Sequence, residues 1–172
     1  MKEAVIVSAV RTPLGSFNGS LAGIGATDLG AIVIEEAIRR AGIEKTAVDE
    51  VLMGQVLPCG YGQNPAKQAA VKAGMPWEAE CITVNKVCGS GLKAIALGAS
   101  AIMTGSADVI LAGGQENMSR VPMALLKARW GHRMELSGIG EIHDLMVFDG
   151  LYEIFYGYHM GVTAENIASL YQ

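Results

Sequence analysis

Cysteine is scarce here and odd in number: three in 172 residues, at positions 59, 81 and 88. That excludes a disulfide framework and fits a reducing compartment. No Cys/His pair has zinc-finger spacing, and the histidines stand at 132, 143 and 159, so no metal is expected. Charge is also sparse. Charged residues make up 17% of the chain and the net charge is −4, without the basic excess that nucleic-acid binding needs. No apolar run approaches the length of a membrane span. Met1-Lys2-Glu3 leads directly into an apolar segment, so no signal peptide and no membrane partner are expected, and a cytoplasmic location is. What is abundant is hydrophobic residues, 51% of the total. That excludes disorder and suits a core-rich α/β protein or a buried piece of an assembly.

The stretch from Cys81 to Gly114 organises the rest. Ile82–Val84 is a short β-branched run, and Cys88-Gly89-Ser90-Gly91 is a glycine-rich turn after it. Leu92, Ile95, Ala96, Ala99, Ile102 and Met103 then follow the i, i+3, i+4, i+7 spacing of a helix. Its other positions are mostly small or apolar, and Lys93 is the only charge. Such a helix is expected to be buried on all sides. Residues 109–112, all apolar, read as a strand buried on both faces of a parallel sheet.

Cys88 therefore sits at the entry to a helix, where unpaired backbone N–H groups favour a thiolate. Gly89 and Gly91 leave room for a substrate carbonyl. A nucleophile and an ordinary small core residue are both open readings of this cysteine. The same residues carry another pattern: Gly89 to Ala94 matches the G-x-G-x-x-A dinucleotide fingerprint, with Glu116 after the next strand. A nicotinamide-dependent oxidoreductase is the alternative this raises, although Lys86 and Cys88 crowd the strand end.

Elsewhere the pattern alternates strand and helix. Residues 4–10 read as a first, central strand, broken by Pro13 and Gly15. Thr27 or Asp28 is expected to cap a helix running to about Arg40 and ended by Gly42. Residues 48–56 give a strand, and Asn64 or Pro65 starts a helix whose alanines allow close packing. This order predicts an α/β fold with a mixed, largely parallel sheet. After Gly114 the periodicity weakens. Residues 123–150 read as a long excursion suited to binding or oligomer contact. Thr163 is expected to cap a last helix.

Five segments together resemble the N-terminal part of the thiolases: SAVRTPLGSF at 8–17, GQNPAKQAA at 62–70, NKVCGSGLKA at 85–94, AGGQENMS at 112–119 and FYGYHMGVTAEN at 155–166. The biosynthetic acetyl-CoA acetyltransferase type is the nearest in character. The resemblance implies half of a layered αβαβα arrangement at 1–119, with the first part of a CoA-binding and oligomerisation loop domain at 120–172. It implies an acyltransferase that condenses two acetyl-CoA molecules or runs the reverse thiolysis, with coenzyme A thioesters as substrates and no bound cofactor. Cys88 matches the nucleophile that carries the acyl thioester, and its backbone N–H an oxyanion donor. Leu151, His159 and Met160 match positions that shape the acyl-pantetheine site. Glu116 and Asn117 read as structural.

Thiolases are more than twice this length, and the resemblance places their base histidine, second cysteine and water-orienting asparagine in a C-terminal half not found here. The isolated chain is thus expected to lack turnover, as a fragment, a split subunit completed by a complementary chain, or a non-catalytic binding module. The helix after Cys88 would then expose an apolar patch when alone. A homodimer or homotetramer is expected of the parent protein.

Overall fold

A computed structural model describes residues 2–131, 133–134 and 140–172. His132 and the middle of the 123–150 excursion lie outside the described residues. The chain divides into two compact units, Met1–Arg120 and Val121–Gln172.

The first unit is built on three parallel strands: β1 (Glu50–Gly54), β2 (Glu80–Val84) and β3 (Ile110–Gly114), in the order β2-β1-β3. Leu52 faces Ile82 on one side and Ala112 on the other. Two helices cover one face, α1 (Ala26–Ala41) and α2 (Pro65–Lys72), and α3 (Ser90–Thr104) covers the other. Alternation along β1 divides its side chains. Val51 and Met53 pack among Ala31, Ile34 and Ile38 of α1 and Ala66, Ala69 and Ala70 of α2. Leu52 and Gly54 turn toward α3. Parallel strands need crossovers, which α2 and α3 supply.

Local chemistry sets the helix ends. Gly42 closes α1 in the left-handed conformation (φ 67°), donating to the carbonyls of Ile38 and Arg39. The side chain of Asn64 accepts from Lys67 N at 3.2 Å and caps α2, with Pro65 in the first turn. The cap expected of Thr27 or Asp28 belongs instead to Gly25, two or three residues earlier, with no side-chain bond. Thr27 is buried inside the helix and receives Lys72 Nζ on its hydroxyl.

Three further expectations are corrected. Residues 4–10 form no strand, and Val5, Ile6 and Val7 are 67–78% exposed. Strand propensity reports fit to a pleated surface; it does not supply a partner, and among the described residues this segment gains none. Next, α3 is not buried all round. Ser90, Ala94 and Gly98 face the sheet, while Leu92, Ile95, Leu97 and Met103 are exposed. The inward stripe is made of small residues, because a Cβ on Gly98 would stand 2.7 Å from Ile110 Cγ2. β3 is accordingly half-buried rather than sealed on both faces. Finally, one stretch, Val87–Thr104, is long and apolar enough to cross a membrane by length and composition. Its regular helix has 15 residues, or about 22 Å at ~1.5 Å per residue, short of a hydrocarbon core of about 30 Å.

The second unit has two short antiparallel ribbons. β4 (Met123–Ala124) pairs with β5 (His143–Asp144), and β6 (Tyr152–Glu153) pairs with β7 (Tyr158–His159). A π-helical turn, Met146–Leu151, leads into β6, and α4 (Met160–Tyr171) follows β7. The cap of α4 is His159 rather than Thr163: its Nδ1 accepts from Gly161 N at 2.9 Å.

Candidate active site

Cys88 stands in the loop that joins β2 to α3, immediately before the helix cap Gly89. It is exposed, at the C-terminal edge of the parallel sheet, where α/β proteins hold ligands. The first-turn amides of α3 lack intrahelical partners and carry partial positive charge beside it. Cys88 is thus not part of this unit's core.

A close approach of backbone to backbone fixes the loop. Gly54 ends β1 beneath the start of α3. A Cβ there would stand 2.6 Å from Gly91 N and 2.6 Å from the Ser90 carbonyl carbon, so only glycine fits. Ser90 is buried and ties the loop to itself. Its hydroxyl accepts from Lys86 N at 2.9 Å and donates to Val87 O at 2.6 Å. Between these bonds Val87 takes φ 48°. A β-branched residue in the left-handed region is a genuine outlier. It costs about 1–3 kcal/mol and persists only where the surroundings enforce it.

The segment after β3 holds the strand ends together. Glu116 Oε2 accepts from Val56 N (2.7 Å) and Leu57 N (3.3 Å). Burial pushes its carboxyl up from the ordinary value, and those two amides pull against the rise. Gln115 donates to the buried Gln55 Oε1 at 2.9 Å. Asn117 donates to Ile24 O at 2.6 Å and to Leu21 O at 3.1 Å. These bonds give Glu116 and Asn117 architectural roles. They also tell against a dinucleotide site. In a mononucleotide unit the acidic residue follows the strand next to the glycine loop's own strand, whereas here β1 separates β2 from β3, and one Glu116 oxygen is engaged by backbone amides. Sequence reading missed Gly54, Gln55 and Ser90. Gly54 carried a signal, since glycine inside an apolar strand marks close backbone approach.

The other candidate residues lie in the second unit. Register sets Tyr152 opposite His159, so Leu151 and Met160, next to them in the chain, flank the same end of the ribbon. With Nδ1 accepting from Gly161 N, the neutral His159 ring carries its proton on Nε2 and offers a donor there. Met160 and His159 are exposed and Leu151 is half-buried. Cys88 belongs to the first unit, and these three belong to the second. Among the described residues, no group of three or more His, Cys, Asp or Glu is placed to hold a metal.

Residues 4–172 match the thiolase N-terminal domain. The chain belongs to the thiolase family. An acetyl-CoA acetyltransferase of Cupriavidus necator is 55% identical over 171 residues. A second, from Escherichia coli K12, is 57% identical over 172. A probable acetyl-CoA acyltransferase of Staphylococcus aureus is 48% identical over 171. Each alignment covers 99% of this thiolase chain and 43% of the relative. The chain thus spans less than half the length of the curated relatives it matches.

Proposed function

We propose that this chain is the nucleophile-bearing part of a thiolase-type acyl-CoA acyltransferase. The observation that carries the reading is an exposed Cys88 at the N-terminus of α3, in a loop pinned by Ser90 and seated on Gly54. Relatives named acetyl-CoA acetyltransferase make acetyl-CoA the first substrate to test.

The Cys88 thiolate attacks the thioester carbonyl of acyl-CoA. A bond forms between Sγ and the carbonyl carbon, the bond to the CoA sulfur breaks, and CoA leaves as its thiolate, taking up a proton. The helix N-terminus favours the attacking anion, and the Cys88 backbone N–H serves the developing oxyanion. On the family resemblance, Leu151, His159 and Met160 are assigned to the acyl-pantetheine end of the substrate. Condensation with a second acyl-CoA, or the reverse thiolysis, requires the histidine, second cysteine and asparagine that the family resemblance places in further sequence, on the same polypeptide or a complementary one. The assembled protein acts in the cytoplasm as a dimer or tetramer.

Intact-protein mass spectrometry after incubation with acetyl-CoA tests this. One acetyl adduct per chain is expected on Cys88, absent in Cys88→Ala, with no turnover by the chain alone. A folded chain that takes no adduct, or an adduct that persists in Cys88→Ala, overturns acyl transfer to this cysteine.

A further inference from the structure

We propose that Asn85 is a positioning residue for Cys88: its carboxamide holds the left-handed turn at Val87 that presents the thiol. The proposal rests on the reading of Cys88 as the nucleophile.

Asn85 is the first residue after β2, and its side chain bridges two loops. Nδ2 donates to Val56 O at 3.1 Å, and Oδ1 accepts from Val87 N at 2.9 Å. Val56 is itself fixed, because its amide donates to Glu116 Oε2 and Gln55 N donates to Val84 O at 3.0 Å. The carboxamide therefore joins the loops after β1 and β2, and the loop after β3 reaches the first of these through Glu116. On the far side, the Val87 carbonyl accepts from Ser90 Oγ and from Ser90 N at 3.0 Å. The Val87 residue is thus gripped at both its N–H and its C=O while it holds φ 48°. Valine does not adopt that conformation unaided. If the Asn85 grip is released, Val87 relaxes to negative φ and the peptide joining it to Cys88 rotates, carrying the thiol and the Cys88 N–H with it.

Asn85 is exposed, so water replaces its bonds when it is removed and little folding stability is lost. A residue that acted only on stability would show little effect at such a site. A residue that aims the nucleophile alters thiol reactivity in a chain that is still folded.

The test is the rate of Cys88 alkylation by iodoacetamide against pH, read by mass spectrometry, with a urea melt of each variant. Asn85→Ala is expected to lower the alkylation rate about tenfold across the profile, because the thiol is no longer held in its presented position at the start of α3. The urea midpoint should stay at the parent value. Asn64→Ala is the control, since that residue caps α2 and donates to Cys81 O without touching the Cys88 loop. Glycine adopts positive φ freely, so Val87→Gly combined with Asn85→Ala should recover part of the loss. If Asn85→Ala does not fold, Asn85→Gln carries the same test. The proposal is overturned by an Asn85 variant profile that superimposes on the parent, by an equal loss of rate in Asn64→Ala, or by no recovery in the double variant. A parent chain that alkylates normally but takes no acetyl group from acetyl-CoA overturns the functional reading instead, and leaves this one to the alkylation data.

Discussion

The two faces of the three-stranded sheet are covered by helices of opposite construction. On one face α1 turns its bulk inward. Ala31, Ile34 and Ile38 are buried, while Asp28, Glu35, Arg39 and Arg40 are exposed. On the other face α3 turns small residues inward and carries its bulk outward, on Leu92, Ile95, Leu97 and Met103. The first face is covered by its own chain, with Ile32 the one large apolar side chain of α1 left exposed. The second leaves large apolar side chains of α3 exposed to solvent. Where a helix places its large side chains therefore tells which side of the fold is complete. The outward stripe of α3 is what a second layer would cover in the arrangement proposed for the assembled enzyme.

The largest expected effect lies on the finished face. Ile34 is 0% exposed, and Ile34→Ala should cost about 2–5 kcal/mol in urea denaturation through lost burial and a residual cavity. Leu92 is 74% exposed, and Leu92→Ala should stay within about 0.5 kcal/mol. Comparable losses at the two positions would break the contrast between the faces. A Leu92→Ala cost that grows when a complementary thiolase chain is added would sharpen it.

The next effect lies where the small inward stripe meets the sheet. Gly54→Ala places a methyl 2.6 Å from backbone atoms of Gly91 and Ser90. Backbone cannot rotate away, so about 1–3 kcal/mol of overpacking is expected. The Cys88 loop rides on those atoms, so alkylation of Cys88 should change in the same variant. A Gly54→Ala chain with parental stability and parental Cys88 reactivity would show that α3 is not seated as tightly as the contrast requires.

Much of this was legible in the sequence, for reasons that differ by element. The C-terminal end of α1 and the N-terminal end of α2 followed from Gly42 and from the Asn64-Pro65 pair, whose chemistry is local. The place of Cys88 at the entry to α3 was legible because a cysteine in a glycine-rich strand-to-helix turn reports its own surroundings. The direction of α3 was not. Its large apolar residues follow a perfect helical stripe, and a stripe says that one face is to be covered without saying by what; the small residues at 94 and 98 held the register against β3. Residues 4–10 misled for the same reason, since apolar and β-branched residues do not name their partner. The grip of Glu116 and of Asn85 on the loop after β1 joins residues about 60 and 30 positions apart, which no local pattern encodes, whereas the bond from Val87 N to Asn85 is a local Asx turn.

The smallest effect concerns the polar side of α1, for which α3 offers no counterpart beyond Lys93. Glu36 meets Arg39 (2.7 Å) and Arg40 (2.6 Å) one turn along. Their guanidinium hydrogen bonds lower its carboxyl from 4.5 to about 2. A carboxylate whose folded value is depressed contributes stability above its unfolded value, and the contribution is lost as pH falls toward the folded one. The window here runs from about 4.5 down to about 2. Glu36→Gln should therefore lower the urea midpoint slightly at pH 7, and the gap to the parent should close by pH 2. Salt should shrink it as well, because the pair is solvent-exposed and screened. A gap that persists at pH 2 would mean that Glu36 supports α1 through packing of its stem. The outward side of α1 would then share some of the apolar character that sets α3 apart.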